Sequence, residues 1–261
     1  MVRARGLAAA ALLVAAGCAR PPAPGPWAEP PPGDPVVQTI RARAVAADRL
    51  QASLELTWED PALEEPQGCS AFLVFDREQG MRVLARSVAF VTVFELVAAR
   101  DRVWLDVPRQ GLTVTGPPDD PGWRRLPASP RAMLVALFAD PWAGEEEPGP
   151  FRRAPGESDL LVGDGWTLRL DPESGLPALY EEEGLTIEWG DWVPRRGVPW
   201  PHLAEIRAAG GTLRARLGRL ITGRAGSPGQ FEFTPEEGRD LLGPEEAAER
   251  WKSGLEGLSG P

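Results

Sequence analysis

The sequence is poor in the side chains that most enzymes use for catalysis. It has one His, one Tyr, two Cys, a single Lys and no Asn. A zinc site built from His and thiolate ligands lacks its donors, and a Ser-His-Asp triad would depend on His202 without a G-x-S-x-G turn to present the Ser. No glycine-rich phosphate-binding loop occurs either. We therefore expect a protein that is not an enzyme and that uses no metal and no cofactor.

Positive charge is also in short supply. The chain has 28 Lys and Arg against 38 Asp and Glu, a net charge of −10. Nucleic-acid binding is disfavoured because it needs a basic surface, and adhesion of the whole chain to anionic lipid heads is disfavoured for the same reason. The 261 residues, 43% of them hydrophobic, are enough for one large domain or two small ones with a substantial core.

The N-terminal residues 1–17 have the pattern of a secretory signal peptide. Arg3 and Arg5 precede an uncharged apolar run, Leu7–Ala16, which is too short to span a bilayer, where about 20 residues are needed. The small residues that end this run lie directly before Cys18 and resemble the lipobox of bacterial lipoproteins. The resemblance implies that Cys18 becomes the first residue of the mature chain and carries acyl chains. The alternative is an ordinary signal peptide followed by an incidental Cys.

Residues 18–35 are rich in Pro and predict a semi-rigid tether between the membrane and the folded domain. Ala19 follows Cys18 at the position where an Asp would resemble an inner-membrane retention signal. The resemblance therefore implies attachment to the outer membrane on its periplasmic side. Cys69 is the only other thiol, so we expect no intramolecular disulfide framework and a small, buried, apolar role for Cys69.

Residues 36–240 contain many short segments in which apolar and polar residues alternate, and this pattern predicts about 11 strands. One amphipathic helix is predicted at Val36–Arg49 and a second at Ser129–Asp140, while residues 241–261 are predicted to form a C-terminal helix and tail. The longest expected strand is Val88–Ala99. We predict a mainly β (α+β) domain, formed by a single curved antiparallel sheet or unclosed β-barrel with helices covering its open side.

The same alternation predicts which side chains face the interior of the sheet. Arg169, Glu188, Arg214 and Arg216 take solvated positions, and the apolar residues between such positions converge under the two helices. If the interior is hollow, these apolar residues line a ligand cavity, and if it is filled, they form a packed core. The candidate cavity residues are Leu54, Leu56, Phe90, Phe94, Val103, Leu105, Trp166, Leu168, Leu170, Ile187, Trp189, Leu213 and Leu217.

The order of these features resembles that of a known family. A lipobox and a Pro-rich tether lead into a helix, a first group of antiparallel strands, a mid-chain helix and a second group of strands. With this order over Val36–Arg239, the chain resembles the LolA/LolB superfamily of lipoprotein carriers. The stretches that carry the resemblance are Met81–Arg86, Val93–Leu96, Asp101–Pro108, Leu112–Gly116, Leu170–Pro177, Ile187–Trp192, Val198–Pro201 and Phe231–Gly238.

The resemblance implies an unclosed barrel whose hollow binds acyl chains of lipoproteins in the periplasm. In the outer-membrane receptor type, an apolar residue lies in a Pro-x-Gly turn between the third and fourth strands. Here the corresponding stretch is Ser87-Val88-Ala89-Phe90, without Pro or Gly, and Phe90 is the candidate for that position.

Two functions are therefore open. The first is a monomeric, lipid-anchored protein that binds acyl chains or lipoproteins in an apolar cavity and serves lipoprotein localisation to the outer membrane. The second is a non-enzymatic interaction lipoprotein of the cell envelope with a filled core. A hydrolase is a third function, which the residue inventory disfavours. An apolar cavity of roughly 300 Å³ or more would distinguish the first function from the second.

Overall fold

The structure is a computed structural model that describes residues 35–59, 66–126, 129–143, 149, 151–154, 157–208, 211–224, 226–227 and 229–250. The predicted signal peptide, Cys18 and almost all of the predicted tether lie outside these residues. Residues 251–261 of the predicted tail also lie outside them. What the sequence indicates about these segments therefore stays a prediction.

The described chain consists mainly of strands, accompanied by three α-helices. α1 is Pro35–Ala46, α2 is Pro130–Phe138, and residues 244–250 form α3. A single sheet contains all 14 described strands. The strands are β1 Arg49–Glu59, β2 Gln67–Asp76, β3 Gly80–Arg86, β4 Thr92–Ala99, β5 Val103–Val107, β6 Leu112–Gly116, β7 Phe151–Ala154, β8 Glu157–Gly163, β9 Trp166–Leu170, β10 Pro177–Glu182, β11 Leu185–Arg195, β12 Val198–Ala208, β13 Gly211–Thr222 and β14 Asp240–Leu242.

The sheet consists of two antiparallel meanders that meet in its middle. The first meander runs from β1 to β6 and the second from β7 to β13, and β1 pairs antiparallel with β13. β14 adds to β6 as the one parallel pair among the described strands. β7 and β14 stand at the two ends of the strand order, so the curved antiparallel sheet is unclosed, as predicted.

The sheet has more strands than predicted because the shortest ones are defined by pairing and not by a sequence pattern. β7 has four residues, in a segment rich in Pro and Gly that is typical of a loop, and β14 has three. Both lie at ends of the sheet and pair with a single neighbouring strand. Segments this short cannot show a period of two clearly enough to be recognised.

Buried and exposed side chains alternate regularly in the central strands. In β13, Leu213 and Leu217 are buried while Arg214 and Arg216 are exposed. β1 shows the same alternation over Leu50–Leu56. One face of each strand packs on the interior and the other faces water, which confirms the predicted register of these strands.

Both predicted helices are present, but they end earlier than predicted. α1 ends before Arg49 because Arg49 already belongs to β1. α2 ends at Phe138 because Ala139 takes a left-handed conformation with a φ of 47°, which terminates a helix. At the other end of α2, Ser129 Oγ accepts a hydrogen bond from Ala132 N at 3.1 Å and caps the first turn.

The predicted strand Val88–Ala99 is wrong at its start, because residues 87–91 form a turn that precedes β4. Phe90 N donates to Ser87 O, and Ser87 N donates to Val91 O, both at 2.9 Å. Phe90 has a φ of 60° and is 83% exposed. The prediction that Phe90 faces the interior is therefore wrong. The turn uses a left-handed Phe in place of the Gly or Pro that would have revealed it in the sequence.

β11 and β12 form a hairpin that extends beyond the rest of the sheet. β10 pairs with β11 only as far as Glu188, and β13 pairs with β12 only from Leu203 onwards. Residues 190–201 therefore form a two-stranded projection, here called the arm. Pro194 and Pro199 stand opposite each other in it, which concealed the strands in the sequence, because Pro rarely occurs inside paired strands.

The outer face of the first meander is covered by the chain itself. Residues 229–239 cross it, and the ring of Phe233 lies 5.6 Å from the ring of Trp104. The outer face of β12 and β13 instead carries exposed ion pairs, such as the one between Arg214 and Glu205 at 2.7 Å. The outer face of the first meander is therefore covered by protein, whereas the outer face of β12 and β13 is exposed to solvent.

Candidate ligand-binding interior

The apolar residues of the two meanders meet in one continuous core beneath α1 and α2. Phe94 is only partly buried and packs against this core, whereas Phe90 lies outside it in the exposed turn. The remaining predicted interior residues are all buried, and they are Leu54, Leu56, Val103, Leu105, Trp166, Leu168, Leu170, Ile187, Trp189, Leu213 and Leu217.

A cavity lies between α2 and strands β1, β2, β12 and β13. Its volume is about 30 Å³, enough for about one water molecule and far below the roughly 300 Å³ that a bound organic ligand requires. With the helices in place, the interior is therefore packed. Only Leu54 and Leu217 of the predicted set reach the cavity, whose wall is completed by Leu73, Met133, Ala136, Leu137, Pro201, Ala204, Ile206 and Ala215.

α2 is fastened to the second meander at both ends. Near its start, Arg131 Nε lies 3.1 Å from Glu182 Oε2, and Tyr180 donates to the same oxygen at 2.7 Å. Burial raises the pKa of Tyr180, so its hydroxyl keeps the proton that it donates. Further along, Trp189 Nε1 donates to Ala136 O at 2.9 Å. These bonds hold α2 on β10 and β11.

Arg43 joins α1 to the end of α2 and to the arm. Its side chain is fully buried. The guanidinium donates to Phe138 O, to Ala139 O at 3.1 Å and to Pro199 O at 3.2 Å. Its central carbon also lies 5.0 Å from the centre of the Trp192 ring. One side chain therefore links three elements that cover the interior.

The position of Arg43 suits a cation, although burial opposes the charge. The carbonyl groups at the end of α2 carry the partial negative charge of a helix C-terminus, which favours a cation there. Burial lowers the pKa of Arg43 to about 10, and the charge of buried Asp140 acts in the opposite direction. Arg43 is not among the residues predicted from the sequence, although its place between Ile40 and Ala44 on the apolar stripe of α1 is a usable signal.

A second arginine holds the C-terminal end of α1. Arg77, in the turn between β2 and β3, donates from Nη2 to Ala44 O at 2.6 Å and from Nε to Asp48 at 3.1 Å. The apolar side chains that α1 buries include Ile40 and the small Ala44, while Val36 and Val37 pack against the core partly buried. α1 is therefore held by two arginine contacts and by a limited apolar face centred on Ile40.

The turn at residues 87–91 exposes apolar side chains to solvent. Val88 is 95% exposed, and Phe90 and Val91 are also exposed. Phe72 on β2 is exposed as well, while Arg86 at the base of the turn supplies a positive charge. An exposed apolar turn of this kind is a candidate contact for a membrane or a partner.

Other candidate groups serve the fold. His202 Nδ1 lies 2.8 Å from Leu217 O, a contact that ties β12 to β13. Cys69 is partly buried against the core, and burial raises the pKa of its thiol, which makes it a poor nucleophile. Among the described residues, no three His, Cys, Asp or Glu side chains are grouped to hold a metal ion. In the same part of the chain, no helix has the length and apolar character needed to cross a membrane.

The sequence matches no protein-family profile and no curated protein. Solved structures do match. A DUF1329 family protein from Desulfovibrio piger is 8% identical, with a TM-score of 0.51 over 77% of this chain and 97% of that one. A domain named for outer membrane lipoprotein sorting, from Vibrio parahaemolyticus, is 12% identical, with a TM-score of 0.48 over 75% and 95% of the two chains. A LolA superfamily protein from Nitrosomonas europaea is 9% identical, with a TM-score of 0.45 over 76% and 97%.

Two of these solved structures are named for lipoprotein sorting or for the LolA superfamily, the family that the sequence resembles. At such identities a likeness concerns the fold alone, and of these three matches the one with a TM-score of 0.51 supports the fold. What the fold does in this chain has to be argued from its own residues.

Proposed function

We propose that the protein is a non-enzymatic, membrane-anchored lipoprotein of the cell envelope that binds acyl chains of a lipid or lipoprotein in its interior. The observation that supports this most strongly is an apolar interior beneath a helix, α1, that buries only one large described apolar side chain. The cavity wall consists of apolar side chains from both meanders, whereas α1 is held by Ile40 and by the polar contacts of Arg43 and Arg77.

An acyl chain can enter only if part of the cover moves, because the closed cavity holds about 30 Å³. α1 is the element that moves most easily. α2 is fixed by the Arg131–Glu182 pair and by Trp189, and seven of its nine residues are buried. Among the described side chains of α1, the one large apolar side chain that is fully buried is Ile40, so displacing α1 exposes less apolar surface. Each buried methylene of an entering chain gains about 0.8 kcal/mol, and several of them offset the loss of the Arg43 hydrogen bonds.

Native mass spectrometry of the full chain purified from membranes tests this function. We expect a monomer that carries a lipid or acylated species in addition to any acyl groups on Cys18. Ala204→Phe places a ring in the cavity wall and should abolish co-purification, although overpacking lowers stability by about 1–3 kcal/mol. Ala46→Phe, on the exposed side of α1, is the matched control and should retain the lipid. A wild-type protein that never carries a non-covalent lipid would contradict the proposal.

The proposed membrane attachment uses Cys18, acylated at the outer membrane on its periplasmic side, with residues 18–35 as the tether. The exposed side chains of Val88 and Phe90 offer a second contact with the bilayer surface. Cys18→Ser should move the protein to the soluble fraction after cell fractionation, whereas Cys69→Ser should leave it with the membranes. A well-folded Cys18→Ser protein that still sediments with membranes would refute acylation at this site.

A second function is favoured by the packed interior itself. If the core stays filled, the protein acts through its surface as an interaction lipoprotein of the envelope, in which the exposed turn at residues 87–91 is a contact site. In that case neither the wild type nor Ala204→Phe carries lipid. Phe90→Glu would then remove a protein partner while the fold remains intact.

A further inference from the structure

Charge is distributed unevenly in this acidic chain. Residues 206–231 contain five Arg and no Asp or Glu. Arg207 and Arg214 of this segment form ion pairs with Glu188 and Glu205 on the outer face. The later arginines, Arg219 near the end of β13 and Arg224 beyond it, have no carboxylate partner in the described part of the chain. The end of β13 is therefore a locally basic surface on a protein with a net charge of −10.

The tip of the arm brings two more arginines to the same place. Arg195 Nη2 donates to Gly218 O at 2.7 Å, and Arg196 Nη1 lies 3.2 Å from Thr222 Oγ1. Arg219 near the end of β13 and Arg224 just beyond the strand are both exposed. The rim arginines, as we call Arg195, Arg196, Arg219 and Arg224, form no ion pair with a carboxylate within the described residues. The Nε atom of Arg195 is buried without a hydrogen-bond partner there.

The rim arginines border a gap that leads to the cavity. β12 leaves β13 after the pair Leu203–Arg216, so the following part of β13 has no strand on that side. Side chains of the arm cross this gap to reach β13. Pro201 on the β12 side and Leu217 on the β13 side both line the cavity, and Leu217 directly precedes Gly218, whose carbonyl accepts from Arg195. The gap therefore has the rim arginines at its outer end and the apolar cavity at its inner end.

The turn at the tip of the arm contains a residue, Arg196, whose type does not favour the backbone conformation of the turn. Arg196 and Gly197 have φ values of 52° and 80°, the conformation of a two-residue hairpin turn that favours Asn, Asp or Gly at both positions. A long side chain in the left-handed region is uncommon, and such strain is found preferentially at functional sites. Asp191 is the only carboxylate of the arm and is exposed.

From this arrangement we propose that Arg195 and Arg196 bind the phosphate of an amphiphile whose acyl chain lies in the cavity past Pro201 and Leu217. The inference rests on the proposed function and narrows the ligand to a phosphate-bearing amphiphile. Guanidinium groups suit this role because their planar donors match phosphate oxygens and remain charged. Arg219 and Arg224 add positive potential at the same end of β13.

Isothermal titration with short-chain lipids tests the site. The protein is the full chain with Cys18→Ser, which removes the predicted acylation site. The probes are dioctanoyl phosphatidylglycerol, dioctanoylglycerol with the same chains and no phosphate, and glycerol phosphate with no chains. The wild-type arginines should favour the phosphatidylglycerol over dioctanoylglycerol by about tenfold or more, and added salt should reduce this preference.

Arg195→Gln/Arg196→Gln should bind both dioctanoyl lipids with equal affinity. Its retained affinity for dioctanoylglycerol shows that the interior is still folded. Arg100→Gln/Arg109→Gln is the matched control, because it removes the same charge from exposed positions in the first meander and should keep the preference. The inference is overturned if the wild type binds both lipids equally or if the double variant keeps the preference.

The remaining outcomes separate this inference from the proposed function. If neither lipid nor glycerol phosphate binds, both fail. If glycerol phosphate binds as tightly as the phosphatidylglycerol and depends on Arg195 and Arg196, the arginine site is a site for free phosphate esters and the acyl-binding function fails. If the phosphatidylglycerol binds no more tightly than dioctanoylglycerol, the acyl-binding function is supported and the phosphate site is refuted.

Discussion

Arg43→Met is expected to destabilise the protein and to loosen α1 before any other covering element. Methionine has a similar length and fills the same apolar surroundings, but it cannot donate hydrogen bonds. The carbonyl oxygens of Phe138, Ala139 and Pro199 then lose a charged donor inside the protein. Buried Asp140 loses its nearby positive charge as well.

The expected magnitude follows from two opposing contributions. A hydrogen bond to a charged group contributes about 1.5–3 kcal/mol, and Arg43 makes three such contacts. Against this, the lowering of the Arg43 pKa to about 10 corresponds to roughly 3 kcal/mol of unfavourable burial, which the substitution removes. We therefore expect the free energy of unfolding to fall by about 2–5 kcal/mol.

Urea unfolding and hydrogen exchange measured by mass spectrometry provide the assay. Amides of α1 should exchange faster in Arg43→Met, while those of α2 should stay protected because Arg131 and Trp189 still hold it. Arg43→Lys should fall between the two proteins, since a single ammonium cannot span three separated carbonyls. Arg109→Met, at an exposed position, is the control. A stability change below about 0.5 kcal/mol, or equal exchange in α1 and α2, would refute the reasoning.

Three other substitutions test the core and its electrostatics. Leu168→Glu puts an unpaired charge at a fully buried site and should lower the unfolding free energy by about 4 kcal/mol or more in urea, whereas Leu241→Glu, at an exposed site, should change it little. Gly163→Ala should lower the melting temperature, because the added Cβ would lie 2.0 Å from the Trp166 ring, and an unchanged temperature would show that the ring can move. A hydrogen bond from an arginine holds the pKa of Glu205 below its ordinary 4.5, so stability is lost as the pH falls through the lowered value. Glu205→Gln should therefore show a shallower acid decline in urea midpoints, and an unchanged decline would contradict that pairing.

The long central strands could be predicted from the sequence because one buried face imposes their alternation. β13 is such a case, because Leu213 and Leu217 alternate with Arg214 and Arg216. This alternation predicted which face of the strand is buried. The turn at residues 87–91 could not be found in the same way. Residues 88–91 are all apolar, so the sequence shows neither an alternation of apolar and polar residues nor a Gly or Pro that would indicate a turn.

The parts of the candidate site that were missed depend on tertiary contacts. Arg43 gains its role from carbonyls of α2 and the arm, which are far from it in sequence. The arm was missed because Pro194 and Pro199 argue against strands unless they face each other in an isolated hairpin. Packing volume, which decides whether the interior is hollow, is not encoded in a two-state pattern of apolar and polar residues.

The antiparallel pair of β1 and β13 also determines when the sheet can be completed. Leu50 pairs with Thr222, so the contact in the middle of the sheet joins residues from opposite ends of the folded chain. Each meander can form from local hairpins, but one edge of β1 lacks a strand until β13 has been synthesised. A chain of this topology passes through a half-sheet with an open edge at its future centre. We expect the closing of that seam to be the slow step of folding, during which the open edge of β1 is the place where another chain could pair.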